Sequence, residues 1–501
     1  MKRILVFSVL LMTLSGCGIT TTAQQTATTD KPKYVLFYIG DGMGVAQRTI
    51  AEYYQDYTQG KELEMNHLPS IGMYSTQSNN SYIPDSAATA TAMSAGVDTN
   101  NGQIATQPLD DNQLSSENDE EEQLKIQDID TEADEMVNLG DGLHNAGLPI
   151  GVVTTTRITH ATPAAFTSHS NDRDNESLIA EEQLEFEPEL LVGGGTSYLT
   201  PQSEEGSKRE DDRNLITEYE DKGYTYFDDI DEFNNTVGDT QTPVLATFND
   251  SHLDYEIDTP DGAPGLSEIT ESSIDYMYNN YEDGFFMMIE GGRIDQAAHA
   301  NDAPAMLQET LEFESAIQAG LEFYEQHADE TLIVVGADHE TGGLGLGDES
   351  NYFLNLGTLD DYNGGTEAMI QGKYKQGMDH QKVLAYLQDD YGLGDLSDKE
   401  RKQLEDIMTR MDNTTPDPDD GYIGAFYDDY GAYDPLATVV NQITADRANI
   451  GFTTHAHTAS FVEASAIGVG AENFDGMFTN EDIGLTLADL LEIETTGTNS
   501  N

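Results

Sequence analysis

Asp295 and His299 stand four residues apart in the segment EGGRIDQAAHAND, which puts a carboxylate and an imidazole on one face of a helix as a metal-binding pair. Asp338-His339 is a second carboxylate–imidazole pair, and Asp41 and His457 offer the same donor types from distant parts of the chain. Carboxylate and imidazole without Cys suit Zn²⁺ in a catalytic role, and additional oxygen ligands suit Mg²⁺. A nucleophile is available as well. In IPDSAATATAMSAG, Ile83 to Gly96, a Pro-Asp pair leads into Ser86 and then a run of small, helix-forming residues. The pattern ends a loop at Asp85-Ser86 and starts a helix there, whose free N–H groups and positive dipole end favour an anion beside the hydroxyl. Each feature alone has a plainer account. The Ser86 stretch also reads as an Ala-packed, N-capped helix, Asp41 as part of an Asp-Gly turn, and either Asp–His pair as structural.

The elements that must hold these residues separate the two accounts. Tyr34 to Ile39, YVLFYI, is an unbroken apolar run that suits a buried strand, and it stops on Gly40-Asp41-Gly42. Ile150 to Thr156 leads into RITHATPAAFTSHSNDR, Arg157 to Arg173, and Leu190 to Gly195 reads as a strand entering a tight turn. Phe285 to Ile289 stops on Glu290-Gly291-Gly292, and Leu332 to Val335 stops on Gly336-Ala337-Asp338-His339. Ala305 to Tyr324 and Asp482 to Leu491 carry helical patterns, and an alternating segment runs to Gly468. Strands alternating with helices predict an α/β fold: a large, mostly parallel central sheet sandwiched by helices. Four of the strands end on a carboxylate or a Thr/His segment, where such sheets place their ligands.

The charge balance excludes one class of partner. The 501 residues hold 93 Asp+Glu against 22 Lys+Arg, a net charge of -71, so a nucleic-acid-binding surface is not expected. Self-repulsion on this scale weakens a compact state in dilute buffer, and at about 1 M salt the Debye length shrinks to roughly 3 Å. The surface reads as salt-adapted, with cumulative cation binding by surface carboxylates as the competing view. At the N-terminus, Lys2-Arg3, the apolar stretch Ile4 to Leu14 and Ser15-Gly16-Cys17 form a secretory signal in order. Leu14 to Cys17 resembles the lipobox of bacterial lipoproteins, which implies cleavage before Cys17, lipidation of its thiol and a place in the bacterial cell envelope, in the periplasm or at the cell surface. Cys17 is the only Cys, so the exported fold has no intramolecular disulfide. The expected organisation is a signal peptide over 1–16, a tether over 17–33, a catalytic domain over 34–494 and a tail over 495–501. Within the domain, acidic insertions fall near 109–138 and 344–450.

GDGMG at Gly40, PDSAATATAM at Pro84, THATPAA at Thr159, EGGRIDQAAH at Glu290, GADHETGG at Gly336 and HTAS at His457 together resemble alkaline phosphatase, in order and from about Tyr34 to about Leu491. The resemblance implies phosphomonoester hydrolysis with Ser86 as the nucleophile that becomes a phosphoserine. It implies a first zinc on Asp295, His299 and His457, which holds the leaving-group oxygen, and a second on Asp41, Asp338 and His339, which acts on Ser86. A magnesium shared by Asp41, Thr162 and Glu290 is implied as the third ion, with His160 beside it and Arg173 on the substrate phosphate. It further implies small phosphomonoesters as substrates and a homodimer. His160 stands where some bacterial members have Asp, and Gln296 where some have Lys, which puts magnesium in doubt because imidazole favours softer ions. Asp85 caps the helix, orients Arg173, or does both. Phosphodiesterase and sulfatase are the near rivals. A calcium-binding acidic lipoprotein is the distant one, and no loop has EF-hand spacing.

Overall fold

β1 (Tyr34–Gly40) lies at the centre of a ten-stranded sheet, every residue of it buried. In this computed structural model, residues 31–109, 133–260, 263–348, 352–417 and 421–499 are described. The other sheet strands are β2 (Ser70–Ser75), β3 (Ile150–Arg157), β4 (Leu190–Gly194), β5 (Thr225–Phe227), β6 (Val244–Thr247), β7 (Phe285–Gly291) and β8 (Thr331–Gly336). Three short strands, β9 (Glu340–Thr341), β10 (Gly345–Leu346) and β11 (Ile450–Gly451), lie outside it, as does β12 (His457–Thr458). β13 (Val462–Gly468) and β14 (Gly476–Thr479) return to it, giving the order β14-β2-β13-β8-β1-β7-β3-β4-β6-β5.

Every pairing in the large sheet is parallel except the two that β13 makes with β8 and β2. β7 and β8 flank β1 and are fully buried, because helices cover both faces of a parallel sheet. Their parallel register brings the C-terminal ends of β1, β7 and β8 level, with Gly40 opposite Gly291 and Ile39 opposite Gly336. The predicted fold class is therefore the observed one. The alternating segment before Gly468 is the antiparallel β13, a direction that periodicity alone does not reveal.

The helix Ser86–Ala95 is buried along its whole length, which its Ala and Thr side chains permit. It packs on the helix Asn480–Leu491 at close range, since a Cβ on Gly484 would lie 2.8 Å from the Met93 carbonyl oxygen. The expected tail contains ordered structure among its described residues. Thr496–Asn499 forms a short helix, Thr496 N donates to Val137 O at 2.9 Å, and a Cβ on Gly497 would meet Gly96 O at 2.3 Å.

The long acidic insertion grows from the β10–β11 ribbon, where Leu346 pairs with Ile450. It is helical, with Asp398–Asn413 and Pro435–Ala448 packed around its own apolar cluster that includes Leu404, Met408, Val440 and Ile443. The shorter acidic run at Glu117 to Glu122, the signal segment and Cys17 lie outside the described residues. No helix among the described residues is long and apolar enough to cross a membrane.

Candidate active site and metal centre

Ser86 is the first residue of its helix, and Asp85 is the N-cap, accepting from Ala88 N through Oδ1 at 3.0 Å. The other Asp85 oxygen accepts from Gly102 N at 2.8 Å and from Arg173 Nη1 at 3.0 Å. Capping and orienting Arg173 are thus both done by the one carboxylate. Arg173 Nη2 lies 3.3 Å from His160 Nε2, and Ser86 Oγ lies 3.2 Å from His339 Nε2.

Three donor groups surround this corner: Asp295, His299 and His457; Asp41, Asp338 and His339; and Asp41, His160 and Glu290. Their positions follow from the strand ends. Asp41 and Asp338-His339 leave β1 and β8, Glu290 ends β7, and Asp295 and His299 share the helix Arg293–His299 that follows it. His457 arrives on β12, paired with Thr341 of β9. Gly42, at φ 70°, makes the turn under this set, and a Cβ there would come within 2.8 Å of Asp295 Oδ1. Thr162 is buried in the helix Ala161–Ala164, directly after His160 and Ala161. His160, expected beside the third group, has a ring nitrogen within 4.8 Å of the Asp41 and Glu290 ligand atoms.

The donors fit cations by their hydrogen bonding. His299 Nδ1 donates to His455 O at 2.6 Å and His457 Nδ1 donates to Pro84 O at 2.7 Å. Both rings therefore turn their Nε2 atoms inward, where they face each other at 2.9 Å. Two nitrogens that close need a proton or a metal cation between them. Thr154 and Thr156, two apart on β3 and so on the same side of the strand, both donate to Glu290 Oε2. Glu290 Oε1, both Asp41 oxygens, Thr162 Oγ1 and His160 Nδ1 are buried without a hydrogen-bond partner. Buried polar atoms are rarely left so unless a ligand completes them.

Electrostatics agree. Burial, with Asp338, Asp295 and Glu290 close by, pushes Asp41 well above the ordinary carboxylate range. Burial also lifts Glu290 to about 7. Burial works to raise Asp338 too, but His339 beside it holds that carboxyl at about 2. Burial and then the charge of His339 drive His457 down to about 3. The chain alone concentrates more carboxylates here than its own cations neutralise.

Several contributors escaped the sequence reading. Thr341 Oγ1 donates to Asp295 Oδ1 at 2.5 Å, and His455 Nδ1 donates back to His299 O at 2.8 Å. His252 sits against Arg157 and Gln296, its ring held at about 2 by burial and by Arg157 and Arg293. His455 lies two residues before His457 and could have been noticed there; His252 stands in a loop after β6 with no motif around it.

The alkaline phosphatase family model matches residues 32–493. Alkaline phosphatase 3 of Bacillus subtilis is 29% identical over 464 residues, covering 91% of this chain and 88% of its own. The alkaline phosphatase of Schizosaccharomyces pombe is 31% identical over 480 residues, covering 91% and 81%. Among solved structures, the cold-active alkaline phosphatase of the psychrophile Shewanella sp. superposes with a TM-score of 0.72 at 27% identity, over 91% of this chain and 99% of that one.

Proposed function

The chain belongs to the alkaline phosphatase family of metal-dependent phosphomonoesterases, and we propose that it works through a phosphoserine at Ser86. Asp295, His299 and His457 would hold one Zn²⁺, and Asp41, Asp338 and His339 a second. Asp41, Thr162, Glu290 and His160 would hold a third ion, Mg²⁺ or, given the imidazole, a softer one. When bound, these ions supply positive charge for the attacking and leaving oxygens and lower the pKa of a hydroxyl or water.

The rest falls to the chain's own groups. Asp85 fixes the helix terminus, so Ser86 Oγ has one position from which to attack phosphorus in line. The Oγ–P bond forms as the ester P–O bond breaks; the leaving oxygen takes the electron pair and, in balance, the proton given up by the Ser86 hydroxyl, and departs as the alcohol. Arg173, held by Asp85, presents its remaining N–H groups to the phosphoryl oxygens. Water then attacks the phosphoserine from the side the alcohol left, the Oγ–P bond breaks, and Ser86 regains its proton as phosphate leaves.

The observation that carries this reading is the Ser86 hydroxyl against His339 in a ring of buried, unpartnered carboxylate oxygens. Ser86→Ala should abolish p-nitrophenyl phosphate turnover while zinc content stays near that of wild type. Undiminished turnover would overturn it. From the lipobox-like Leu14 to Cys17 and the family resemblance we propose further that the protein is exported, lipid-anchored at Cys17 and homodimeric. Cys17→Ser should then release it from membranes, and sedimentation should give twice the chain mass.

A further inference from the structure

A cavity of about 340 Å³ adjoins the Asp295, His299 and His457 group, with His299 itself in its wall. Arg293 and Gln296 line it from the same helix, and Glu367, Tyr433 and Asn441 line it from the acidic insertion. We propose that this cavity receives the leaving alcohol and selects an uncharged, hydroxylated one of monosaccharide size. The proposal rests on the phosphomonoesterase reading, in which that donor group faces the leaving oxygen, so the alcohol must lie beside it.

Size and chemistry narrow the ligand. The volume is at the low end of small-molecule sites, which span roughly 300–1,000 Å³. Neutral hydrogen-bonding side chains, among them Gln296, Gln371, Thr438 and Asn441, line it. A hydroxyl suits such a wall, because it donates and accepts. The cavity is not a second anion site. Arg293 is already paired with Glu367 at 3.4 Å and stacked 3.6 Å over the Tyr255 ring, and Asp434 adds a further carboxylate to the lining. Tyr433 stands stacked on His455 at 5.0 Å. The wall is fixed in place: Asn441 Nδ2 donates to Ala300 O at 2.8 Å and to Thr366 Oγ1 at 3.0 Å.

Selection acts on the steps up to phosphoserine formation, so kcat/KM reports it whichever step limits kcat. The test compares the whole, metal-loaded enzyme on methyl phosphate, glucose 6-phosphate and fructose 1,6-bisphosphate, all with primary-alcohol leaving groups. Wild type should favour glucose 6-phosphate over methyl phosphate by about tenfold or more in kcat/KM. Ala437→Leu, which narrows the cavity, should reduce that ratio about tenfold. Glu367→Gln should raise the bisphosphate relative to glucose 6-phosphate. Ratios report only on folded, active enzyme, so partial misfolding cannot imitate the effect. A wild-type ratio near one, or one that Ala437→Leu leaves unchanged, overturns the cavity's role while methyl phosphate is still hydrolysed. No hydrolysis of any of the three by wild type overturns the phosphomonoesterase reading instead.

Discussion

Asp85 couples the position of Ser86, the proposed nucleophile, to that of Arg173, the proposed phosphate-binding group, since one of its oxygens caps the Ser86 helix and the other holds Arg173. Asp85→Ala should therefore act twice. Loss of the cap costs about 1 kcal/mol of stability, and freeing Arg173 should raise KM about tenfold or more with a smaller change in kcat. Thermal unfolding and steady-state kinetics on one preparation separate the two, and an unaltered KM would deny Arg173 its role. His160 invites a second substitution. Its ring joins Asp41 and Glu290 in a donor set otherwise made of oxygen, so His160→Asp should tighten Mg²⁺ there by about tenfold. Titration of magnesium into zinc-loaded protein measures this, and equal affinity in both forms would place His160 outside the third site. At this scale, what the sequence made legible was any residue at the end of an apolar run. Asp41, Glu290 and Asp338-His339 announce themselves by following YVLFYI, FFMMI and LIVV. His252 does not, because its contacts with Arg157 and Gln296 exist only after the loop beyond β6 has folded back.

Among the elements, the buried parallel strands were legible because burial on both faces forces continuous apolar runs. Short edge strands such as β5 and β14 carry no such run, and the direction of β13 depends on its neighbours rather than its own pattern. The insertion's internal core was legible only at the amphipathic stretch Leu396 to Met411; elsewhere Gly, Asp, Asn and Tyr dominate the sequence and hide its apolar positions. The helix Ala303–His327, predicted from its spacing, buries an unexpected group. Glu309 accepts from Glu256 N at 2.6 Å, and burial pushes its carboxyl up to about 8 from an ordinary 4.5, with Arg293 too little to offset it. Burial raises Glu256, facing it, to about 7. A carboxyl whose folded pKa is raised stabilises the fold fully below its unfolded pKa and loses that contribution as pH rises through the folded value. Stability should thus fall between about pH 5 and pH 8, by on the order of 3 kcal/mol from Glu309. Glu309→Gln keeps the acceptor and removes the charge, so its advantage over wild type should grow across that interval. Denaturant unfolding at pH 6 and pH 9 measures it, and a constant difference between the two proteins would rule the mechanism out.

For the whole molecule the dominant quantity is the net charge of -71, which sets two terms of opposite sign against a dianionic ester. Cations that the three donor groups would hold, with Arg173, would attract it within a few ångströms, whereas the remaining carboxylates repel it from afar. Salt does not weigh these equally. The distant repulsion acts over more than a Debye length, about 10 Å at 0.1 M, and is removed as that length falls to roughly 3 Å at 1 M, while partly buried local charges are screened much less. For a protein of ordinary charge, salt weakens a phosphatase's hold on its substrate. Here KM for p-nitrophenyl phosphate should instead fall as sodium chloride rises from about 0.05 to 0.5 M, with kcat changing less. The melting temperature should climb by roughly 5–10 °C over a comparable range, because the same self-repulsion opposes the compact state. Sulfate alone cannot decide the matter, since it strengthens apolar burial in any protein. The chloride series, set beside an uncharged osmolyte such as sucrose, isolates screening. If KM rises with chloride, the local charges govern encounter and the acidic surface is not tuned to salt; if it falls, the surface itself is the barrier that salt lowers.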